Sequence, residues 1–78
     1  MEKKINWLDD ARIGVRFEGS EVLISANRDG LLSLADQLTA LAEELPGAHI
    51  HYDEYNSLEE GSCELIIENK DFGPEEEI

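Results

Sequence analysis

Two histidines one residue apart, His49 and His51, precede Asp53 in the stretch HIHYDEYNSLEEGSCELIIE (49–68). On a strand, side chains two residues apart point the same way, so this pair suits a shared metal, with Asp53 or Glu64 as a third ligand. A zinc site requires three or four such ligands. The plainer alternative is two solvent-facing histidines that offset the acids beside them. Cys63 with His49 or His51 as nucleophile and base is the second candidate chemistry. It fails on direction, because strand alternation turns Cys63 inward and the histidines outward. The third is acid–base work by paired carboxylates, which needs a pocket that separates their pKa values. Glu59-Glu60 and Glu75-Glu76-Glu77 are expected on exposed segments instead. NRDGLL has one glycine and no lysine, so it is not a phosphate-binding loop. The residues make no positive case for an enzyme and imply no cofactor.

Acids interleaved with aromatics give a different possibility. Tyr52, Asp53, Glu54, Tyr55, Asn56, Glu59, Glu60 and Glu64 form the candidate partner-binding set. Tyrosine supplies contact area with few rotamers to freeze and is enriched at binding hot spots. Carboxylates around such an anchor speed encounter with a basic partner and reject acidic ones.

Charge placement supports that kind of partner. The 78 residues carry a formal charge of −13. Residues 1–42 hold seven acids and five bases, whereas residues 43–78 hold twelve acids and one base, Lys70. Crowding of that degree works against compactness and exceeds what solubility requires. Nucleic acid and anionic membrane bind through neutralising bases, so neither is an expected partner, and a basic protein surface is. The single cysteine, Cys63, allows no internal disulfide and is expected to be a small buried thiol. No signal-peptide core or membrane-length apolar run is present, so a soluble cytoplasmic protein is expected.

The elements that must position these residues follow from periodicity. RIGVRFE (12–18) alternates, with Ile13, Val15 and Phe17 on one face, and EVLISAN (21–27) offers Val22, Ile24 and Ala26 as its buried set. The intervening Glu18-Gly19-Ser20-Glu21 predicts a hairpin. Trp7 and Leu8 are expected over an end of the core, and the first ten residues could add an edge strand. Leu31, Leu34, Ala35, Leu38, Leu41, Ala42 and Leu45 keep a helical spacing, with Ser33, Asp36, Gln37, Thr39, Glu43 and Glu44 opposite them. Asn27 is the expected N-cap, Asp29 suits the first turn, and Pro46-Gly47 ends the helix. Gly30 suggests close approach to the sheet. A second strand pair is expected over 48–55 and 62–69, with Ile50, Tyr52, Cys63, Leu65 and Ile67 inward.

The order is strand, strand, helix, strand, strand. The expected class is α+β: two layers, an antiparallel four-stranded sheet with one helix packed on one face. Residues 1–11 are expected to be an N-terminal extension, 12–69 a single domain, and 70–78 an acidic disordered tail.

Two stretches carry a resemblance. VLISANRDGLLSLADQL (22–38) contains N-x-x-G-L-x-x-L-A at the helix start, and residues His51 to Ile67 read H-x-D-x-x-N-S-L-x-x-G-S-x-E-L-I-I. Over roughly residues 13–69 the chain resembles the immunity protein 32 family of bacterial polymorphic toxin systems. The resemblance implies a small strand–helix–strand protein that neutralises a cognate toxin, often a nuclease, by direct binding. It supplies no contact residues. A metal-binding or regulatory module using His49 and His51, or a small structural subunit pairing through a sheet edge or an outer face with Leu23 and Ile66, stand as the alternatives.

Overall fold

The computed structural model describes residues 6–73. Its elements are β1 (Ile13–Glu18), β2 (Glu21–Ala26), α1 (Arg28–Ala42), β3 (His49–Tyr52) and β4 (Leu65–Glu68). The α+β class and the element order agree with expectation. The single four-stranded sheet does not: β1 and β2 form one antiparallel pair, β3 and β4 another. Irregular chain joins them. The amides of Glu59 and Cys63 donate to the carbonyls of Ile13 and Val15, and the Val15 amide donates to Ser62 Oγ. Residues 59–63 thus serve the outer edge of β1 where a regular strand was expected. That is why β4 starts at Leu65 rather than residue 62, and why Cys63 leaves the inward set and is exposed.

Within each hairpin the register follows alternation. Val15 pairs with Ile24 and Ile13 with Ala26, while Tyr52 pairs with Leu65 and Ile50 with Ile67. Ile13, Val15, Tyr52 and Leu58 form the buried cluster, with Trp7, Ala26, Leu34, Ile50, Leu65 and Ile67 packed on it. Phe17, Val22 and Ile24 were expected inward but are exposed. Phe17 and Val22 pair next to the turn and Ile24 lies opposite Val15, and the described residues of so small a chain leave them uncovered.

The helix departs further from its pattern. Its buried line is Gly30, Ser33, Gln37 and Leu41, whereas Leu31, Leu38 and Leu45 are exposed. The cause is the segment before β1, which brings backbone polar groups against the helix. The Leu8 amide donates to Ser33 Oγ at 2.9 Å, and Gln37 Nε2 donates to the Asn6 carbonyl at 2.8 Å. Buried backbone groups require partners, so the helix turns a polar pair toward them. Trp7 meets Tyr52 edge-on at 6.0 Å between ring centroids, as expected of a residue over the core; Leu8 stays exposed. Residues 6–10 form no strand. Of the expected extension and tail, residues 1–5 and 74–78, including Glu75-Glu76-Glu77, lie outside the described residues.

Both helix ends are tied down. Asn27 caps the N-terminus by accepting the Gly30 amide at 2.8 Å. It also accepts from the Arg12 amide and donates to the Asp10 carbonyl, so one side chain fixes the helix start to the entry of β1. At the other end Asn69 Nδ2 donates to the carbonyls of Leu41, in the last turn, and Glu44, just past the cap, tying the helix exit to the end of β4. A Cβ built on Gly30 would lie 2.6 Å from the Arg12 carbonyl oxygen and 3.0 Å from Ile13 Cγ1. Close approach there requires glycine. Alanine is the better helix former, yet Gly30→Ala is expected to destabilise the protein by about 1–3 kcal/mol through overpacking, read as a lower midpoint in thermal or urea unfolding. An unchanged or higher midpoint would contradict this packing.

Candidate functional site

Strand β3 ends at Tyr52, and the next twelve residues fold into a connection held by its own polar side chains. Asp53 begins it. Its Oδ1 accepts the amides of Tyr55 and Asn56 at 2.9 and 3.0 Å, the local bonding by which aspartate imposes a turn. Its carbonyl accepts the amides of Ser57 and Leu58. Asn56 returns the contact: its Oδ1 accepts the Asp53 amide at 3.1 Å and its Nδ2 donates to the His51 carbonyl at 3.0 Å. The Ser57 hydroxyl also donates to Asn56 Oδ1.

The loop is then anchored to the body. Leu58 enters the core and is 6 % exposed. Gly61 turns the chain back with φ +88, a left-handed conformation that glycine adopts without steric penalty, and its amide donates to Glu54 Oε2. Glu59 Oε1 lies 2.8 Å from Arg12 Nη2. That guanidinium holds the Glu59 carboxyl below the usual carboxylate range, chiefly through the hydrogen bond.

Of the eight residues proposed for partner contact, Tyr52 is removed from the surface. It is 1 % exposed, and its hydroxyl donates to Gln37 Oε1 at 2.8 Å inside the protein. Burial pushes that hydroxyl's pKa up, which keeps it the neutral donor the amide oxygen needs. Asp53 and Asn56 commit side-chain oxygens to the turn, and Asp53 is only half-exposed. Glu54, Tyr55, Glu59, Glu60 and Glu64 are exposed. Tyr55 stands at 95 % exposure, an aromatic ring held out by a loop whose backbone is bonded on either side of it. Sequence reasoning missed Arg12, Leu58 and Ser62 as builders of this loop, because each acts through a contact distant along the chain.

His49 and His51 do lie on one exposed face, with ring centroids 4.9 Å apart. Their cross-strand neighbours are Glu68 and Ile66. Among the described residues no group of three or more His, Cys, Asp and Glu side chains is placed to hold a metal ion. A recess of about 300 Å³ lies beside Trp7, lined also by Asn6, Leu8, Leu32, Ser33 and Asp36. Asp36 is its one carboxylate, with no second acid or base in the lining. Among the described residues no helix is long and apolar enough to cross a membrane.

Fold and site together define a small α+β protein whose most elaborated feature is a projecting acidic loop. Comparison with known families gives that form a place. The family model for Immunity protein 32 matches residues 21–70, well over half of the chain, and the chain belongs to that family. Its general class of partner is therefore a toxin. No curated protein and no solved structure gives a significant match.

The Arg12–Glu59 contact generates a pH prediction. Because the folded-state pKa of Glu59 is lowered, the pair's contribution is present above the unfolded carboxylate value and is lost as pH falls through the folded one. Carboxyl resonances followed by NMR are expected to show Glu59 titrating below the usual carboxylate range. Arg12→Ala is expected to raise its midpoint; a midpoint that does not move would place the cause elsewhere.

Proposed function

We propose that this protein neutralises its cognate toxin by direct binding, with the loop of residues 53–64 pressed onto a basic surface of that toxin. Tyr55 is the central anchor, and Glu54, Glu59, Glu60 and Glu64 surround it. The observation that carries this proposal is the combination at Tyr55 of near-complete exposure with a fixed backbone. A side chain already presented in a rigid frame loses less conformational freedom on binding, so more of its contact energy appears as affinity. Five carboxylates lie between residues 53 and 64 with no lysine or arginine among them, which favours a cationic partner.

A nuclease fits this description. Its active surface must attract phosphate, and an acidic loop can occupy such a surface by matching its charge. Immunity of this kind proceeds by occlusion, with no covalent step, in the cytoplasm of the producing cell.

Tyr55→Ala is expected to weaken toxin binding by about 2 kcal/mol or more, as a hot-spot truncation does, while leaving the unfolding midpoint unchanged. Glu60→Gln is expected to slow association and reduce its salt dependence, with less effect on dissociation. Calorimetry and stopped-flow kinetics with the toxin encoded beside this protein test both. Full affinity in Tyr55→Ala together with unaltered association in Glu60→Gln would move the interface away from this loop.

A further inference from the structure

Strand β2 has one hydrogen-bonded neighbour, β1, among the described residues. The Asn27 amide donates to the Arg12 carbonyl, which sets the phase of that ladder. Residues 21, 23 and 25 therefore bond to β1, and Val22, Ile24 and Ala26 turn their N–H and C=O groups outward. The other edge of β1 obeys the same phase, since Ile13 and Val15 are the residues that bond outward to 59–63. Exposed edges of soluble proteins are ordinarily blunted by a charge, a proline or a bulge. Here the segment Val-Leu-Ile-Ser-Ala (22–26) has none of these, the pairing with β1 runs unbroken, and Val22, Leu23 and Ile24 are 58 %, 46 % and 41 % exposed.

We infer that the β2 edge is a self-association surface whose occupant is β2 of a second copy, paired antiparallel about a two-fold axis at Ile24. This register places Ile24 opposite its own counterpart and Val22 opposite the other copy's Ala26. All three outward-facing residues then find backbone partners. Val22 and Ile24 share the face of Ile13 and Val15, so their side chains meet those of the second copy on that same face.

Charge favours a second copy here over any other place on the molecule. Residues 1–42 carry a net of −2, and residues 43–78 a net of −11, so two such molecules repel least at the first hairpin. The ends of the strand are complementary: the register puts Glu21 opposite Asn27 of the other copy, where Arg28 follows. The Arg28 side chain is 84 % exposed, with the adjacent Asp29 at 3.9 Å its ion-pair partner among the described residues. The same pairing recurs at the opposite end by symmetry. This edge is separate from the loop that carries Tyr55, so one molecule can hold both a second copy and a toxin.

The full chain, without toxin, examined by sedimentation equilibrium over a wide concentration series is expected to show a monomer–dimer equilibrium. Ile24→Lys opposes two ammonium groups across the axis and is expected to abolish the dimer with an unchanged circular dichroism spectrum. Should that variant unfold, a charge exchange decides: Glu21→Arg weakens association severalfold, and the double variant E21R/R28E restores it. A wild-type protein monomeric throughout, or a dimer indifferent to these substitutions, overturns the inference. A dimer that survives these substitutions while toxin binding is lost in Tyr55→Ala separates the two readings: the self-association surface is then overturned and the loop interface stands.

Discussion

The amide of Gln37 holds this structure together across its layers. One end donates to the Asn6 carbonyl and the other accepts from the Tyr52 hydroxyl, so a single side chain joins the segment before β1, the helix and the end of β3. It is 6 % exposed. Polar groups buried this deeply cost free energy unless both ends are bonded, and here both are. Where the buried apolar cluster has four members among the described residues, bonded polar contacts take on a positioning role that larger proteins leave to side-chain packing.

Tyr52 is the last residue before the acidic loop, so that contact sets where the loop begins. Asp53 begins the loop, which is bonded to the body on both sides. Tyr52 fixes the loop's entry, Leu58 its middle, and Glu59 and Ser62 its return along β1. Tyr55 is thus carried by a chain of contacts running back to the helix. Exposure and rigidity usually oppose each other in a loop. Here the acidic and amide side chains of the loop bond inward to its own backbone, leaving the aromatic ring to face outward.

The same thinness that makes polar contacts necessary also leaves apolar surface uncovered. Phe17, Val22 and Ile24 on the first hairpin stay exposed, as do Leu31 and Leu38 on a helix that turns Ser33 and Gln37 inward. Surface of this kind marks a place of interaction, and β2 adds unpaired backbone groups to it. The acids sit on the later hairpin and its loop, and the apolar edge on the earlier one.

Much of this was legible in the residues themselves. Local effects were read correctly: alternation gave the hairpins, Asn27 and Gly30 announced the helix start and its close approach, and the asymmetry of charge needed only counting. These features depend on neighbours within a few positions. The features that depended on distant partners were not legible. Ser33 and Gln37 looked solvent-facing until the Leu8 amide and the Asn6 carbonyl arrived to bond them. Tyr52 takes the inward place that alternation gives it, at odds with its expected role as a contact residue, but its bond to Gln37 could not be read. Cys63 looked buried until residues 59–63 were drawn to the edge of β1. Tertiary structure decided these because an unpaired buried polar group outweighs local periodicity, and the partners that satisfy it lie far along the chain.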